Sequence, residues 1–202
     1  MTQLPLPRSY DARLEHLLGA AARVFAERGF HATTMRDLAR ASGMSLAGMY
    51  YYVKSKDELL QLVQERCFER VLRGAREALA DVADPAERLR VFVRHHVTFF
   101  ARHMAEMKVL SHEVDSLSGA AARALRTRKK AYSTLLAELV AAADPDGDPG
   151  ERAVTGYALF GMMNWIYTWY RPTGALSPAA LAEHFATLAL RVLPAGVSLR
   201  DA

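Results

Sequence analysis

Apolar positions along this chain recur at intervals of three and four residues and rarely alternate with polar ones. That is the period of amphipathic α-helices, so nearly every segment is expected to be helical. Leu14, Leu17, Leu18, Ala21, Val24 and Phe25 line one face of a first helix that Gly29 ends. Met35, Leu38 and Ala39 give a short second helix its buried side, and Ser42-Gly43 stops it with a residue suited to a left-handed helix end. Ser45 caps a third helix over roughly 46–52. Leu59, Leu60, Val63, Cys67, Val71 and Leu79 continue one long helix from Ser55 to about Val82.

Further on, Asp84-Pro85-Ala86-Glu87 combines an N-cap, a proline at the first helical position and an acidic third position. The helix it starts runs to about Arg102, and a shorter one follows near 104–115. Ser118-Gly119 opens a long helix to about Ala143, and the loop Asp144–Gly150 leads to another that begins at Asp148-Pro149 and closes at Arg171-Pro172. Ser177-Pro178 starts the last, which Pro194 ends. The expected fold is all-α with about nine helices, without strands or internal repeats.

The densest local signals lie in TTMRDLARASGMSLAGMYYYVKSKDELL, residues 33–60. Thr34 and Asp37 fit a capping box, and Ser55 and Glu58 fit a second. Two short helices meeting at the Gly43 turn, over about 34–53, make a helix-turn-helix of the kind that docks on DNA. Gly48 costs about 1 kcal/mol of helix propensity, which makes sense where a helix must approach another surface closely. Tyr50, Tyr51 and Tyr52 point in directions about 100° apart and cannot all be buried. Lys54 and Lys56 sit at a helix start, where cations oppose the macrodipole, so an external anion such as a phosphate is a reason for them. A helical hairpin that merely packs its tyrosines in a core accounts for neither the paired boxes nor the glycine turn.

This segment resembles the TetR family of transcriptional regulators, through a first helix ending in FAERGF, then TTMRDLARASGMS, then GMYYYVKSKDELL. The resemblance spans Asp11 to Val71 and implies a DNA-binding domain over 11–71 and a ligand-binding and dimerisation domain over 72–195. It implies that Thr34, Tyr50, Tyr52 and Lys56 hold phosphates. Arg36, Leu46, Ala47 and Tyr51 would lie nearest the base edges, with Gly48 permitting close approach, and Thr33, Ser45 and Lys54 complete the set. Leu46 and Ala47 replace more polar residues seen in many members, which leaves few hydrogen-bonding side chains for direct readout.

Composition sets bounds without choosing a function. The chain has 202 residues, 51% of them hydrophobic, enough for a sizeable core. The net charge of +4 is evenly spread, so charge does not mark a nucleic-acid binder here. The single Cys67 excludes a disulfide framework within one chain and falls on an apolar helix face, as a buried thiol. MTQLPLPRSYDA holds two prolines and no apolar signal core, so the protein is expected to be cytoplasmic, with its first eight residues a loose arm whose Arg8 can neutralise phosphate. Seven histidines include no HExxH pair, and no glycine-rich phosphate loop or GxSxG turn occurs, so neither an enzyme nor a metal site or cofactor is expected.

Ala153 to Tyr170 carries no formal charge over 18 residues, about 27 Å of helix. Thr155, Asn164, Thr168 and the aromatic residues of its latter half suit a protein interior better than a membrane. A helix apolar all round must be covered all round, so one face is expected to meet a second subunit. Gly156, Phe160, Trp169, Leu181, Phe185 and Leu188 are the expected homodimer interface. In TetR relatives the last two helices form a four-helix bundle with those of the second subunit, and two-fold symmetry implies a palindromic operator.

The same helix offers adaptable apolar surface with polar handles, as ligand pockets do, notably at Met163, Asn164 and Tyr167. Arg123, Arg126 and Lys130 share one helix face by their spacing and make either a solvated basic face or an anion site. An apolar tunnel with an anion site at its mouth describes a receptor for an acyl-coenzyme A. EMKVLSHEVDSLSG and NWIYTWYRPTGALSP are similar to the corresponding regions of TetR regulators that respond to acyl-CoA esters in fatty-acid or aromatic-acid degradation. Phe99, His103, Met107 and Leu110 complete the expected effector set. The alternative is a repressor of a multidrug efflux gene that senses lipophilic drugs, for which acidic side chains should face the pocket.

Overall fold

The computed structural model describes residues 9–113 and 115–193. Arg8 and Pro194, to which the sequence assigns a phosphate contact and a helix stop, lie outside the described residues. Within them the chain is helical, as expected: α1 (Tyr10–Arg28), α2 (Met35–Ser42), α3 (Leu46–Tyr50), α4 (Lys56–Leu79), α5 (Pro85–Arg102), α6 (Met104–His112), α7 (Gly119–Ala143), α8 (Pro149–Asn164), α9 (Ile166–Trp169) and α10 (Pro178–Arg191). The helix expected to run from Pro149 to Tyr170 is broken at Trp165, leaving α9 as a single turn. Thr168 donates its hydroxyl back to the Trp165 carbonyl, closing that turn locally.

Helix starts follow the caps written in the sequence. Ser9, Asp84, Asp148 and Ser177 each accept a hydrogen bond from a backbone N–H in the first turn, and prolines follow three of them at the first helical position. Gly43 takes the left-handed conformation, φ 66°, that the turn between α2 and α3 requires.

The helices form two compact units, described separately. The first comprises the described residues of Met1–Phe68 and Ala105–Thr127. Its core gathers Leu17, Phe25, Leu38, Met49, Leu59 and Leu60 from the first four helices with Val109 and Leu125. The second comprises the described residues of Glu69–Met104 and Arg128–Ala202. There α10 packs along α5, burying Phe92, Val93 and Val97 with Leu181, Ala182 and Phe185. Arg90 and Arg94 of α5 both reach Glu183 of α10, Arg94 Nε at 2.6 Å, and the Arg90 hydrogen bond leads in holding that exposed carboxyl below its usual range. Helices α4 and α7 each run from one unit into the other. No helix of the described residues is long and apolar enough to cross a membrane. Cys67 is buried, as its position on the α4 face suggests.

Candidate functional site

The first unit builds an outward-facing helix from a small number of local devices. The capping box at the start of α2 is complete: Thr34 Oγ1 accepts from Asp37 N at 3.2 Å and Asp37 Oδ2 accepts from Thr34 N at 3.0 Å. The Thr34 hydroxyl, with help from Arg28 and Arg40, holds the Asp37 carboxyl below its usual range. Ser45 caps α3 by accepting from Gly48 N at 3.0 Å. Met49 is fully buried and fixes α3 from behind, while Leu46, Ala47, Tyr50 and Tyr51 of the same segment are exposed, Tyr51 at 74%. An α-helix held by one apolar anchor, with its opposite side open, is what groove docking needs.

The tyrosines end up as the turn geometry requires, none of them buried. Their rings are joined by Tyr10 of α1, 4.8 Å from Tyr52 and 6.0 Å edge-on to Tyr51, between ring centroids. Tyr10 is absent from the sequence-derived set, because only its position just after the Ser9 cap hints that it lies at this surface. Arg36, Thr34, Ser45 and Lys54 are exposed.

Three residues of that set have other duties in the structure. Thr33 is 2% exposed and donates its hydroxyl to the Gly29 carbonyl at 2.7 Å, so it holds the loop before α2 and presents no free hydroxyl. At Gly48 a Cβ would lie 3.0 Å from Ser45 Oγ, so the glycine keeps the α3 cap uncrowded, a local reason besides close approach. Lys56 Nζ donates to the carbonyls of Phe30 and Thr33, each at 2.8 Å, and lies 4.3 Å from the Phe30 ring centroid. Backbone carbonyls therefore supply the partners that an external phosphate was inferred to provide. The second capping box is also shifted, since Ser55 accepts from Glu58 N but the Glu58 carboxylate accepts from Lys54 N, one residue earlier than expected.

Lys56 and Glu113 clamp the same backbone from two sides. Glu113, 8% exposed at the end of α6, accepts from Phe30 N at 2.9 Å, while Lys56 holds the Phe30 carbonyl. Ser116 donates to the second carboxylate oxygen at 2.6 Å, and Gln64 of α4 donates to the Glu113 carbonyl at 3.1 Å. Lys56→Met is expected to lower the stability of this unit by about 1–2 kcal/mol, because two carbonyls lose a charged donor. Thermal unfolding checks this; an unchanged midpoint with weaker DNA binding would return Lys56 to a plain phosphate contact.

The second unit contains an aromatic box. His96 of α5 is 1% exposed and its Nδ1 lies 3.0 Å from the Tyr132 hydroxyl of α7. Phe92, Phe100 and Phe160 pack about this pair, with centroids 4.8–6.4 Å from the imidazole. Burial pushes the His96 imidazole down to about 3, helped by the neighbouring His95 and opposed by the Asn164 side chain. His96 Nε2 has no hydrogen-bond partner among the described protein atoms. The i, i+4 spacing of His96 with Phe92 and Phe100 is the sequence signal that it belongs to the core.

The effector candidates divide between the units. Met163 is fully buried and Tyr167 and Phe99 are half-buried in the second unit, where Phe99 stacks on half-buried His103. Lys130 of that unit is exposed. Met107, buried, and Leu110, half-buried, belong to the first unit, with the exposed Arg123 and Arg126. Asn164, expected to be a buried amide, is the exposed last residue of α8.

The expected subunit face is also redrawn. Leu181 and Phe185 turn inward with α10 packed along α5, and Phe160 joins the aromatic box. A Cβ added at Gly156 would meet no neighbour within 4 Å, and Trp169 and Leu188 are exposed. Val154, Tyr157, Trp165 and Val192 are the exposed large apolar side chains beside them in sequence.

Two family descriptions match the chain: "Bacterial regulatory proteins, tetR family" over residues 17–63, and "Tetracyclin repressor-like, C-terminal domain" over residues 82–193. The transcriptional repressor KstR2 of Mycolicibacterium smegmatis is 25% identical over 189 residues, 91% of this chain and 92% of its own. The structure of AibR in complex with isovaleryl coenzyme A and operator DNA superposes with a TM-score of 0.77 at 28% identity, covering 87% of this chain and 97% of that one. A TetR-family regulator from Bordetella parapertussis gives 0.83 at 27% identity, covering 90% and 95%.

Proposed function

The chain belongs to the tetR family of bacterial regulatory proteins, DNA-binding regulators and not enzymes, and on that premise we propose that it is a ligand-responsive repressor. In this reading 11–71 forms the DNA-binding domain and 72–195 the ligand-binding and dimerisation domain. The observation that carries the DNA-binding part is the exposed α3, anchored by buried Met49 and capped by Ser45. Arg36, Leu46, Ala47 and Tyr51 face base edges, and Thr34, Tyr50, Tyr52 and Lys54 face phosphates. The exposed apolar side chains Val154, Tyr157, Trp165, Trp169, Leu188 and Val192 are covered by a second copy of the chain. Two copies related by a two-fold axis read a palindromic operator in the cytoplasm.

The effector in this proposal is an acyl-CoA or a similar apolar ligand of fatty-acid or aromatic-acid degradation. Support comes from the 28% identity to AibR, seen with isovaleryl coenzyme A, and from the polar groups at the aromatic box. Those groups are an imidazole, a phenol and an amide, none of them anionic, which favours a neutral or acidic ligand over a lipophilic cation. Release requires only that the effector bind the DNA-incompetent state more tightly, with coupling of about 1–3 kcal/mol being typical. Helix α4, which like α7 belongs to both units, is the lever along which that coupling travels in this proposal. In a mobility-shift assay, long-chain or aromatic acyl-CoA esters should weaken DNA binding while the free acids do not. Equal effects of ester and acid would remove coenzyme A from the reading.

A further inference from the structure

A second cluster of cationic groups lies on the α5 face that borders Ala78 of α4, within the second unit. It opens a groove of about 440 Å³, lined among others by Val91, Arg94, Phe99, Arg102 and His103. That volume falls in the range of small-molecule sites. We infer that this groove binds the phosphate or diphosphate group of a nucleotide-like ligand.

Some of the cations at this groove are already satisfied, and others are not. Arg94 is consumed by Glu183, its Nε at 2.6 Å from the carboxylate. His95 Nε2 is engaged by the Val71 carbonyl at 3.1 Å. Arg102 lines the groove and is exposed, with no carboxylate partner among the described residues. Arg70 of α4 has its Nη2 3.0 Å from His103 Nε2, and its guanidinium lies 5.7 Å from the Phe99 ring centroid. His103 Nδ1 donates to the Phe99 carbonyl at 2.7 Å, so its Nε2 is the acceptor and the Arg70 donor is spent on a neutral ring. Arg102 in the groove lining, and Arg70 behind the lining residues His103 and Phe99, are therefore two guanidinium groups whose charge no carboxylate among the described residues balances.

The remainder of the lining suits the rest of such a ligand. The Phe99 and His103 rings are stacked, with centroids 4.3 Å apart, and offer a flat apolar face beside the two arginines. Arginine forks match phosphate oxygens in pairs, whereas a simple solvated face has no need of a planar donor next to a stacking surface. This site is separate from Arg123, Arg126 and Lys130, the basic face that the sequence singles out, and it does not require the effector to be a coenzyme A ester. A free nucleotide and a coenzyme A head carry the same phosphate chemistry.

Calorimetric titration of the full-length protein with pyrophosphate, ATP and coenzyme A tests the assignment. Wild type should bind at least one of the three, and Arg102→Gln and Arg70→Gln should each weaken that binding at least fivefold, with unchanged thermal midpoints. Arg102→Lys, which keeps the charge but loses the fork, should fall between. Tighter binding of coenzyme A than of ATP assigns the groove to a coenzyme A head; equal affinities assign it to the phosphates alone. The inference is overturned if none of the probes binds wild type, or if both glutamine variants bind as wild type does. Unweakened probe binding in both glutamine variants, with an acyl-CoA ester still releasing DNA, overturns the groove assignment and leaves the proposed effector standing. Loss of pyrophosphate binding in the variants, with no ester acting on DNA, does the reverse.

Discussion

Urea unfolding at pH 7 and pH 4.5, followed by the fluorescence of Trp165 and Trp169, should show the second unit losing about 2–3 kcal/mol through His96 alone. Buried among Phe92, Phe100, Tyr132 and Phe160, His96 protonates in the folded chain only at about 3, against 6.5 when unfolded. Between those values the unfolded state binds more protons, so the stability is fully present above the unfolded value and is lost as pH falls towards 3. His95 is shifted in the same direction by burial and adds to the slope. His96→Gln cannot titrate and retains a polar atom for the Tyr132 hydroxyl. It should flatten the dependence by that amount, leaving the contributions of His95 and the carboxylates. Parallel pH profiles for wild type and variant would mean that water reaches His96 in the folded protein.

Glu113→Ala is expected to destabilise the first unit by about 3 kcal/mol and to weaken DNA binding with it. A buried hydrogen bond to a charged group is worth about 1.5–3 kcal/mol, and the alanine leaves the Phe30 N–H buried without its acceptor. Ser116 loses its partner as well. The segment from Phe30 to Thr33 enters α2 directly, so releasing its backbone loosens the helix that precedes α3. Glu113→Gln keeps an acceptor oxygen and should cost roughly a third as much. Hydrogen exchange at the Phe30 amide reads the effect locally: protection should fall sharply in Glu113→Ala. An unchanged exchange rate would show that the carboxylate is not what secures this turn.

These residues also mark where reading the sequence reached its end. Helix starts were legible because caps are local, and Thr34-Asp37, Asp84-Pro85, Asp148-Pro149 and Ser177-Pro178 all act where they stand. The glycine turn and the exposed tyrosines of α3 followed from spacing for the same reason. Contacts distant in sequence had no such signature. Nothing near Glu113 announces that it holds Phe30, 83 positions away, and nothing near Tyr10 announces Tyr52. Lys56 was legible as an unusual cation, but its partners proved to be carbonyls 23 and 26 positions earlier.

The body was harder to read because its helices are apolar on more than one side. For α10, periodicity alone could not separate Leu181 and Phe185, which pack inward, from Leu188, which faces out. In the stretch 153–170 no proline marks the break at Trp165, and Asn164 beside it reads equally as a polar handle inside a continuous helix, so its exposure did not follow from the pattern. His96 was hidden by its own chemistry, since a histidine on an apolar face is as readily read for ligation as for core packing.

The central claim is that one chain reads DNA through α3 and gives it up to an acyl-CoA. It is tested most directly by letting the purified protein select binding sites from a random DNA pool and then titrating the selected complex with acyl-CoA esters. The expected result is a two-fold symmetric site, bound by a dimer and released by an ester but not by the matching free acid. A pool that yields no preferred sequence, or a complex that every ester leaves intact, would contradict it.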